Sequence, residues 1–339
     1  MMAGLDAAAI RERLDALKAA AGDVDISAEL AQIERKLGGN PEPPAAPGSA
    51  SRSAPRSAPR SAMDRVRLAR LVGRPTMLDY VDAICEEFLE LHGDRSFGDD
   101  PAMVGGIGQI DGKPFTIIGQ HRGRNLKETI YRKNGMAEPE GYRKALRLAH
   151  QAEKFGRPVV VFIDTQGAFP GVSSEERGIG EAIARNLKEF SLLRVPIICF
   201  IIGEAESGGA LGIAVGDELW MLENAVYSVI SPEGCASILL RDANKAAYAA
   251  GLMKITATDL VAMGVVDGII REPEGGAQLD PGGVAREIKA RILESSARLS
   301  RLGGSDLLAK RFDRYCRFGA YAGGDRAQEG FLRRFLFEA

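Results

Sequence analysis

The sequence contains few of the side chains that most often bind metals or transfer protons. It has three histidines, four cysteines and one tryptophan among 339 residues. The cysteines (Cys85, Cys199, Cys235 and Cys316) are far apart, and none forms a Cys-x-x-Cys pair. This usage predicts a reduced, cytoplasmic protein with no zinc site of its own. A net charge of −2 gives no reason to expect binding to nucleic acid or to a membrane.

Long apolar runs and common nucleotide motifs are also missing. No stretch reaches the roughly 18–20 apolar residues needed to span a bilayer, and the first residues carry no signal-peptide core. Gly112-Lys113 precedes Pro114 and lacks the upstream glycine of a phosphate-binding P-loop. Gly106-Ile-Gly108 is followed by Asp111 where a dinucleotide fingerprint needs glycine. Sites for ATP and NAD are therefore not expected.

Composition divides the chain into three segments. Residues 1–39 carry apolar side chains at helical spacing, which predicts an N-terminal helical arm. Residues 40–62 are rich in Pro, Ala, Ser and Arg, which predicts a flexible basic linker. Residues 63–339 predict a globular domain that ends in helices, and 45% hydrophobic residues in the chain suit a sizeable core.

Two short apolar runs, residues 159–163 and 196–202, predict buried strands. Each leads into glycines: the first glycine-rich segment is Asp164–Gly171, and the second is Gly203–Gly209. Strands that alternate with helices predict βαβ units and a largely parallel sheet. Because the carboxyl ends of parallel strands lie at one edge of a sheet, the two segments are predicted to build one site.

Local signals predict further elements. Asp111-Gly112 between two apolar runs predicts a hairpin, and Thr76 followed by Asp79 predicts the start of a helix. Apolar spacing predicts single helices over residues 175–193 and 232–251.

The second glycine-rich segment has the pattern most closely tied to chemistry. A strand that turns sharply into a helix leaves backbone N–H groups unpaired, and such donors stabilise a developing negative oxygen. Taken alone, one Gly-Gly turn favours a simpler interpretation, a tight βα loop with close packing of helix on strand. Ser207 lies in this turn, but a nucleophilic serine needs a base. All three histidines (His92, His121, His150) precede it, so Ser207 is predicted to be a helix N-cap.

Positive charge is concentrated after a predicted strand end. Arg122, Arg124 and Lys127 are candidate contacts for the phosphates of an anionic substrate. A solvated basic surface without a ligand would have the same composition.

An ordered series of motifs resembles the α subunits of bacterial acetyl-CoA carboxylase carboxyltransferases. The resemblance covers roughly residues 64–320, and the N-terminal helices also suit the family. The motifs are Glu140–Leu148, Asp164–Gly171, Glu175–Gly178, Ala182–Leu187 and Tyr227–Ser237. The resemblance implies an α/β, crotonase-like (ClpP/crotonase) fold of ββα superhelical units with an N-terminal helical arm.

The resemblance also implies the reaction and the partners. The carboxyl group of carboxybiotin, carried by the biotin carboxyl carrier protein, would pass to acetyl-CoA and give malonyl-CoA for fatty acid biosynthesis. The active complex would be an α2β2 assembly with a β subunit that bears zinc, working with a biotin carboxylase. No metal and no covalently bound cofactor are expected in this chain.

The site residues carried over from the family lie in the two glycine-rich segments. The N–H groups of Gly208 and Gly209 would hold the ureido oxygen of biotin, while Ser207, Gly167 and Ala168 would contact biotin. The partner would supply the donors for the thioester.

The chain departs from the family pattern at three positions. The family usually has glycine where this chain has Ala205 and Glu206, and proline where it has Gln166. A positive φ at Ala205 or Glu206 would cost about 1–2 kcal/mol, and Glu206 would add negative charge near carboxybiotin. These departures leave open a paralogue acting on another acyl-CoA and a non-catalytic scaffold, and Ser207 leaves open a crotonase-like serine hydrolase.

Overall fold

The computed structural model describes residues 60–319. The chain divides into two units, residues 1–58 and 59–339, and all described residues belong to the second. The predicted arm, residues 1–39, and nearly all of the predicted linker, residues 40–62, lie outside the described residues. No helix within residues 60–319 has the length and apolar character that crossing a membrane requires.

Within residues 60–319 the core is a mixed sheet of eight strands, whose order is β1-β2-β3-β4-β5-β6-β8, with β7 also paired to β5. In chain order the strands are β1 (Glu87–Glu90), β2 (Met103–Ile110), β3 (Lys113–Gln120), β4 (Val159–Thr165), β5 (Ile197–Glu206), β6 (Glu218–Leu222), β7 (Val226–Ser228) and β8 (Gly268–Ile270). The pairings among β1, β2 and β3 are antiparallel, and every later pairing is parallel.

Helices surround this sheet. In chain order those of residues 60–319 are α1 (Ala62–Ala69), α2 (Met77–Ile84), α3 (Leu126–Tyr131), α4 (Pro139–Lys154), α5 (Val172–Glu176), α6 (Ile179–Leu192), α7 (Ser207–Leu211), α8 (Pro232–Cys235), α9 (Ala246–Met253), α10 (Ala257–Ala262), α11 (Pro281–Leu299) and α12 (Gly304–Cys316). Helix α4 packs on β2, β3 and α6, whereas α11 packs on α2 and β5.

Strands β4 and β5 form the centre of the sheet, and every residue in both is buried. Their parallel pairing, with Val159 opposite Ile197, confirms the predicted βαβ arrangement. Strand β5 runs four residues further than predicted, to Glu206, because residues 204–206 pair with β7. Most of the second glycine-rich segment is therefore strand, and the chain passes directly from β5 into α7.

The predicted hairpin and helix start are both confirmed. Asp111 and Gly112 join β2 to β3 with φ values of 48° and 71°, as a two-residue turn of the Asp-Gly type requires. Thr76 and Asp79 form a reciprocal capping box at the start of α2.

Two predicted helices are interrupted. The helix expected over residues 175–193 begins at Ile179, since Gly178 has φ 78° and ends the short α5 before it. The helix expected over residues 232–251 breaks after α8 into the π-helical segment Ala236–Leu240, and Arg241 then has φ 51°. A left-handed residue cannot continue a right-handed helix, so α9 begins only at Ala246.

Candidate functional site

The two glycine-rich segments meet at the carboxyl ends of β4 and β5, as predicted. A Cβ on Gly209 would lie 2.2 Å from the carbonyl carbon of Gly167 and 2.4 Å from the nitrogen of Ala168. Only glycine permits this approach of one backbone to the other. The structure therefore brings Ser207, Gly208 and Gly209 together with Gly167 and Ala168.

Two buried side chains fix the carbonyl of Gly209. Gln120 donates a hydrogen bond to it from Nε2 at 2.9 Å, and the Tyr142 hydroxyl donates another at 3.0 Å. Gln120 also accepts the N–H of Asp164 at 3.2 Å. The last residue of β3 thus ties the end of β4 to the first turn of α7. Sequence reasoning missed Gln120 and Tyr142, although a polar residue at the carboxyl end of a strand is a signal for a site.

The N–H groups of Gly208 and Gly209 lie in the first turn of α7, where no earlier helical carbonyl faces them. Outside the regular elements of residues 60–319, no backbone carbonyl accepts either group. Gly208 is half-buried and Gly209 buried. A Cβ on Gly208 would lie 3.8 Å from the nearest atoms, two methyl carbons of Ile183. The backbone there can approach a ligand, and the role of the two N–H groups toward an oxyanion stays a prediction.

Ser207 is not the N-cap of α7, so that prediction is wrong. The N-cap is Glu206, with φ −122° and ψ 141° and no capping bond from its side chain. Ser207 is the first helical residue and has φ 57°. Because β7 keeps β5 extended through Glu206, the chain has to change direction at Ser207. Its side chain is exposed, and no hydrogen bond joins its hydroxyl to a base among the described residues.

The strain considered for Ala205 and Glu206 does not arise. Neither residue has a positive φ, because both lie in the extended backbone of β5. The left-handed conformation falls on Ser207 instead.

A cluster of ion pairs includes Glu204 and Glu206 at the end of β5, next to the β5–α7 turn, and we call it the Arg70 cluster. Its members are Arg70, Arg122, Asp164, Glu204, Glu206 and Glu233. Arg70, the residue after α1, donates to Glu204 at 2.5 Å and to Glu233 at 2.7 Å. Arg122 donates to Glu204 at 2.8 Å and to Asp164 at 3.3 Å.

Glu206 is the poorly paired member of the Arg70 cluster. The residue is 4% exposed, and its Oε1 has no hydrogen-bond partner among the described residues. The nearest cationic atom is Nη2 of Arg70, 4.0 Å from Oε1. Burial, followed by the neighbouring Glu204 carboxylate, raises the pKa of Glu206 to about 7. Near neutral pH the group carries a full negative charge in only part of the molecules.

A family model described as acetyl co-enzyme A carboxylase carboxyltransferase-like matches residues 7–319. The chain belongs to this family. The acetyl-coenzyme A carboxylase carboxyl transferase subunit alpha of Treponema denticola is 55% identical over 299 residues, covering 88% of this chain and 93% of the relative. The subunit of the same name from Staphylococcus carnosus is 49% identical over 314 residues, covering 92% and 96%.

Solved structures show the same fold at low sequence identity. Transcarboxylase 12S superposes with a TM-score of 0.55 at 20% identity, covering 68% of this chain and 44% of that one. A Pseudomonas malonate decarboxylase hetero-tetramer in complex with coenzyme A contains a chain with a TM-score of 0.55 at 18% identity, covering 77% and 98%. The crotonase-like fold implied by the sequence resemblance is confirmed.

Two of the three predicted anion contacts in this carboxyltransferase-like chain are already paired with its own carboxylates. Arg122 is bound to the carboxylates of the Arg70 cluster, and Arg124 pairs with Asp79 at 2.7 Å and Asp82 at 3.0 Å. Lys127 is exposed. Contacts from these three residues to a substrate phosphate stay a prediction.

Gln166, the departure from proline, takes part in the polar network of the site. Its Nε2 donates to Glu204 at 3.3 Å, and its Oε1 accepts from Asn134 at 3.2 Å. Proline could make neither bond. At this position the first glycine-rich segment is linked directly to the Arg70 cluster.

Proposed function

We propose that this chain is the α subunit of an acetyl-CoA carboxylase carboxyltransferase. In this role it transfers the carboxyl group of carboxybiotin, borne by the biotin carboxyl carrier protein, to acetyl-CoA and so forms malonyl-CoA. Identity of 55% to a subunit of this name supports the reaction. The observation that carries the mechanism is the pair of backbone N–H groups at Gly208 and Gly209, in the first turn of a helix that follows β5 directly.

These N–H groups are proposed to stabilise negative charge that develops on the ureido oxygen of biotin. When carboxybiotin is bound, it supplies CO2 and a basic ring system that takes the methyl proton of acetyl-CoA. The chain itself then needs donors fixed in direction, not a titrating side chain. Gln120 and Tyr142 provide that fixation by holding the carbonyl of Gly209. Removal of one such donor typically costs about 2.7–4 kcal/mol of transition-state stabilisation.

The remaining parts of the reaction are assigned to partners. A β subunit bearing zinc is proposed to supply the donors for the thioester oxygen and to form an α2β2 complex with this chain. The biotin carboxyl carrier protein and a biotin carboxylase deliver carboxybiotin. Lys127 is proposed to meet the phosphates of coenzyme A, because it is exposed whereas Arg122 and Arg124 are paired with carboxylates. A cytoplasmic location and a place in fatty acid biosynthesis are proposed on the family resemblance.

The proposal is tested with the chain in complex with its zinc-bearing partner, by following the conversion of malonyl-CoA and biocytin to acetyl-CoA. Gly208→Val places branched carbons beside the N–H groups. A Cβ at this position makes only an ordinary contact with Ile183, so the variant should fold and assemble while turnover is abolished. Gly251→Val is a matched control, because no atom lies within 4 Å of a Cβ built on Gly251. A complex that assembles correctly and converts no acyl-CoA would refute the proposed reaction. Turnover of Gly208→Val at the wild-type rate would place the donors elsewhere.

One observation favours a second candidate, a crotonase-like serine hydrolase. Ser207 is exposed and left-handed on a sharp strand-to-helix turn, the geometry that presents a nucleophilic serine in other enzymes. The carboxyltransferase requires only its backbone, so Ser207→Ala should keep most of the acetyl-CoA formation. Loss of a thioesterase or peptidase activity in Ser207→Ala would support the hydrolase instead.

A further inference from the structure

The Arg70 cluster contains more acidic groups than basic ones. Four carboxyl groups (Asp164, Glu204, Glu206 and Glu233) surround the guanidinium groups of Arg70 and Arg122. Three of these carboxyls are buried, and only Glu233 is substantially exposed. A buried cluster with uncompensated negative charge is costly unless one of its groups binds a proton.

Burial also raises the pKa of Asp164, but its Oδ1 accepts hydrogen bonds from Arg122 and from the N–H of Glu204. The hydrogen bonds of Arg70 leave Glu206 as the group that binds the proton. The Nε of Arg70 donates to Glu204, while Nη1 and Nη2 donate to the two oxygens of Glu233 at 2.7 and 3.3 Å. Glu204 and Glu206 lie two residues apart on one strand, so they project from the same face of β5 toward Arg70. Each guanidinium nitrogen of Arg70 already donates to Glu204 or Glu233, and Glu206 is left 4.0 Å from Nη2 with an unpaired buried oxygen.

We propose that Glu206 is a positioning residue that holds a proton within the Arg70 cluster, so that Arg70 keeps both Glu204 and Glu233 and binds α8 to the β5–α7 turn. The charged groups facing Glu206 are Glu204 on its own strand, Arg70 after α1, Glu233 on α8 and Arg122 after β3. Glu204 and Glu233 favour the protonated form, and the two arginines oppose it. The expected effect on turnover rests on the proposed carboxyl transfer. The protonation of Glu206 and the link that Arg70 makes between α8 and the β5–α7 turn, which we call the tether, do not.

Ionisation of Glu206 gives Arg70 a third carboxylate to bind. The bond most easily given up is the one to Glu233, because that side chain is 44% exposed and water can solvate it. Helix α8 would then lose its tether to the turn that carries Gly208 and Gly209. The structure therefore predicts a turnover number that falls as the pH rises through about 7, the pKa of Glu206.

The protonation of Glu206 in the folded protein is tested by urea unfolding of the full chain at pH 4.5 to 8.5. A carboxyl whose pKa is higher in the folded than in the unfolded state gives its full stabilisation below about pH 4.5 and loses it as the pH rises to about 7. Glu206→Gln stays neutral, so its unfolding constant should fall relative to wild type by up to tenfold for each pH unit in that range, then level off. Glu176→Gln, at an exposed carboxyl, should show no such trend. A ratio of Glu206→Gln to wild type that is independent of pH would overturn the proposal.

The tether is tested by amide hydrogen exchange of residues 232–240, corrected for the intrinsic effect of pH. Exchange in the wild type should accelerate several-fold between pH 6 and 8.5, and Glu206→Gln should abolish the acceleration. Equal acceleration in both proteins would overturn the tether even if the proton is present.

The positioning role is tested by the pH profile of kcat in the complex with the zinc-bearing partner. The alkaline fall near pH 7 should disappear in Glu206→Gln, with KM changed less than kcat, and should persist in Glu176→Gln. An unchanged fall in Glu206→Gln would overturn the positioning role. A complex without any turnover would refute the proposed function alone, because unfolding and exchange report on Glu206 without it.

Discussion

The hydroxyl of Tyr142 donates a hydrogen bond to the carbonyl oxygen of Gly209 from a distance of 3.0 Å. Tyr142 lies on α4, whereas the other donor to this oxygen, Gln120, ends β3. Burial raises the pKa of the Tyr142 phenol far above its ordinary value, so the group remains a donor near neutral pH. The first turn of α7 is consequently held by two elements outside it.

Tyr142→Phe should lower the free energy of unfolding by about 0.5–1.5 kcal/mol, the usual net value of one hydrogen bond. Turnover should fall less than tenfold, since Gln120 still holds the Gly209 carbonyl. Urea unfolding and steady-state kinetics measure the two effects. Tyr131→Phe, at a side chain that is 64% exposed, provides the control. Unchanged stability in Tyr142→Phe would mean that the bond to Gly209 contributes nothing.

Gly209→Ala should be much less stable than Gly208→Ala. The new Cβ at 209 would lie within 2.6 Å of three backbone atoms of Gly167 and Ala168, so the two glycine-rich segments must separate. Overpacking of this kind costs about 1–3 kcal/mol of stability, and turnover should be lost with it. At 208 the nearest atoms are 3.8 Å away, and the stability of Gly208→Ala should stay near that of wild type. Similar unfolding midpoints for the two variants would contradict the packing described here.

His121 should make the protein less stable in mild acid. Its ring is fully buried, and neither ring nitrogen has a hydrogen-bond partner among the described residues. Burial, with the nearby Arg132 and Arg124, lowers the pKa of His121 to about 4. The unfolded chain therefore binds the proton more readily, and stability is lost as the pH falls from 6.5 toward 4, at up to about 1.4 kcal/mol per pH unit.

Glu206 acts in the opposite direction over much of this range, so the wild-type curve alone conceals both groups. Urea unfolding of His121→Gln and wild type at pH 4 to 7.5 isolates the histidine as a difference between two curves. His150→Gln, at a side chain 46% exposed, is the control. If the difference in unfolding free energy between His121→Gln and wild type did not change with pH, His121 would bind a proton as readily in the folded protein as in the unfolded chain.

Arg311→Met should be among the most destabilising substitutions on α12. Arg311 is 1% exposed and donates to the carbonyls of Leu193 and Val195 at 2.7 and 3.0 Å, and to Asp217 at 2.8 Å. Removal of the guanidinium leaves the buried Asp217 carboxylate without its ion pair, although it keeps the hydrogen bond from the N–H of Ile197. Loss of one partner of a buried ion pair costs about 3–5 kcal/mol. Thermal or urea unfolding measures it, with the exposed Lys310→Met as control. A loss below 1 kcal/mol would show that water replaces the guanidinium.

The centre of this fold is well predicted from the sequence because short, uncharged, β-branched runs that end at glycines favour buried strands over other secondary structure. Strands β4 and β5 and the meeting of their glycine-rich ends follow from that pattern. The left-handed Ser207 could not be predicted, since serine disfavours that conformation and the pairing of β5 with β4 and β7 up to the residue before it joins segments distant in sequence. The bonds from Arg70 to Glu204 and Glu233 span 134 and 163 residues, and no local pattern encodes such contacts.

Strand β5 has two different neighbours along one edge. Its first half, residues 198–201, pairs with β6, and its last residues, 204–206, pair with β7. The strand that pairs with β5 next to the proposed catalytic turn is thus different from the strand that pairs with the middle of β5. Substitutions that disrupt β6 should lower the stability of the whole domain and leave the turnover of the molecules that still fold unchanged. Substitutions that disrupt β7 should instead lower the turnover of molecules that remain folded.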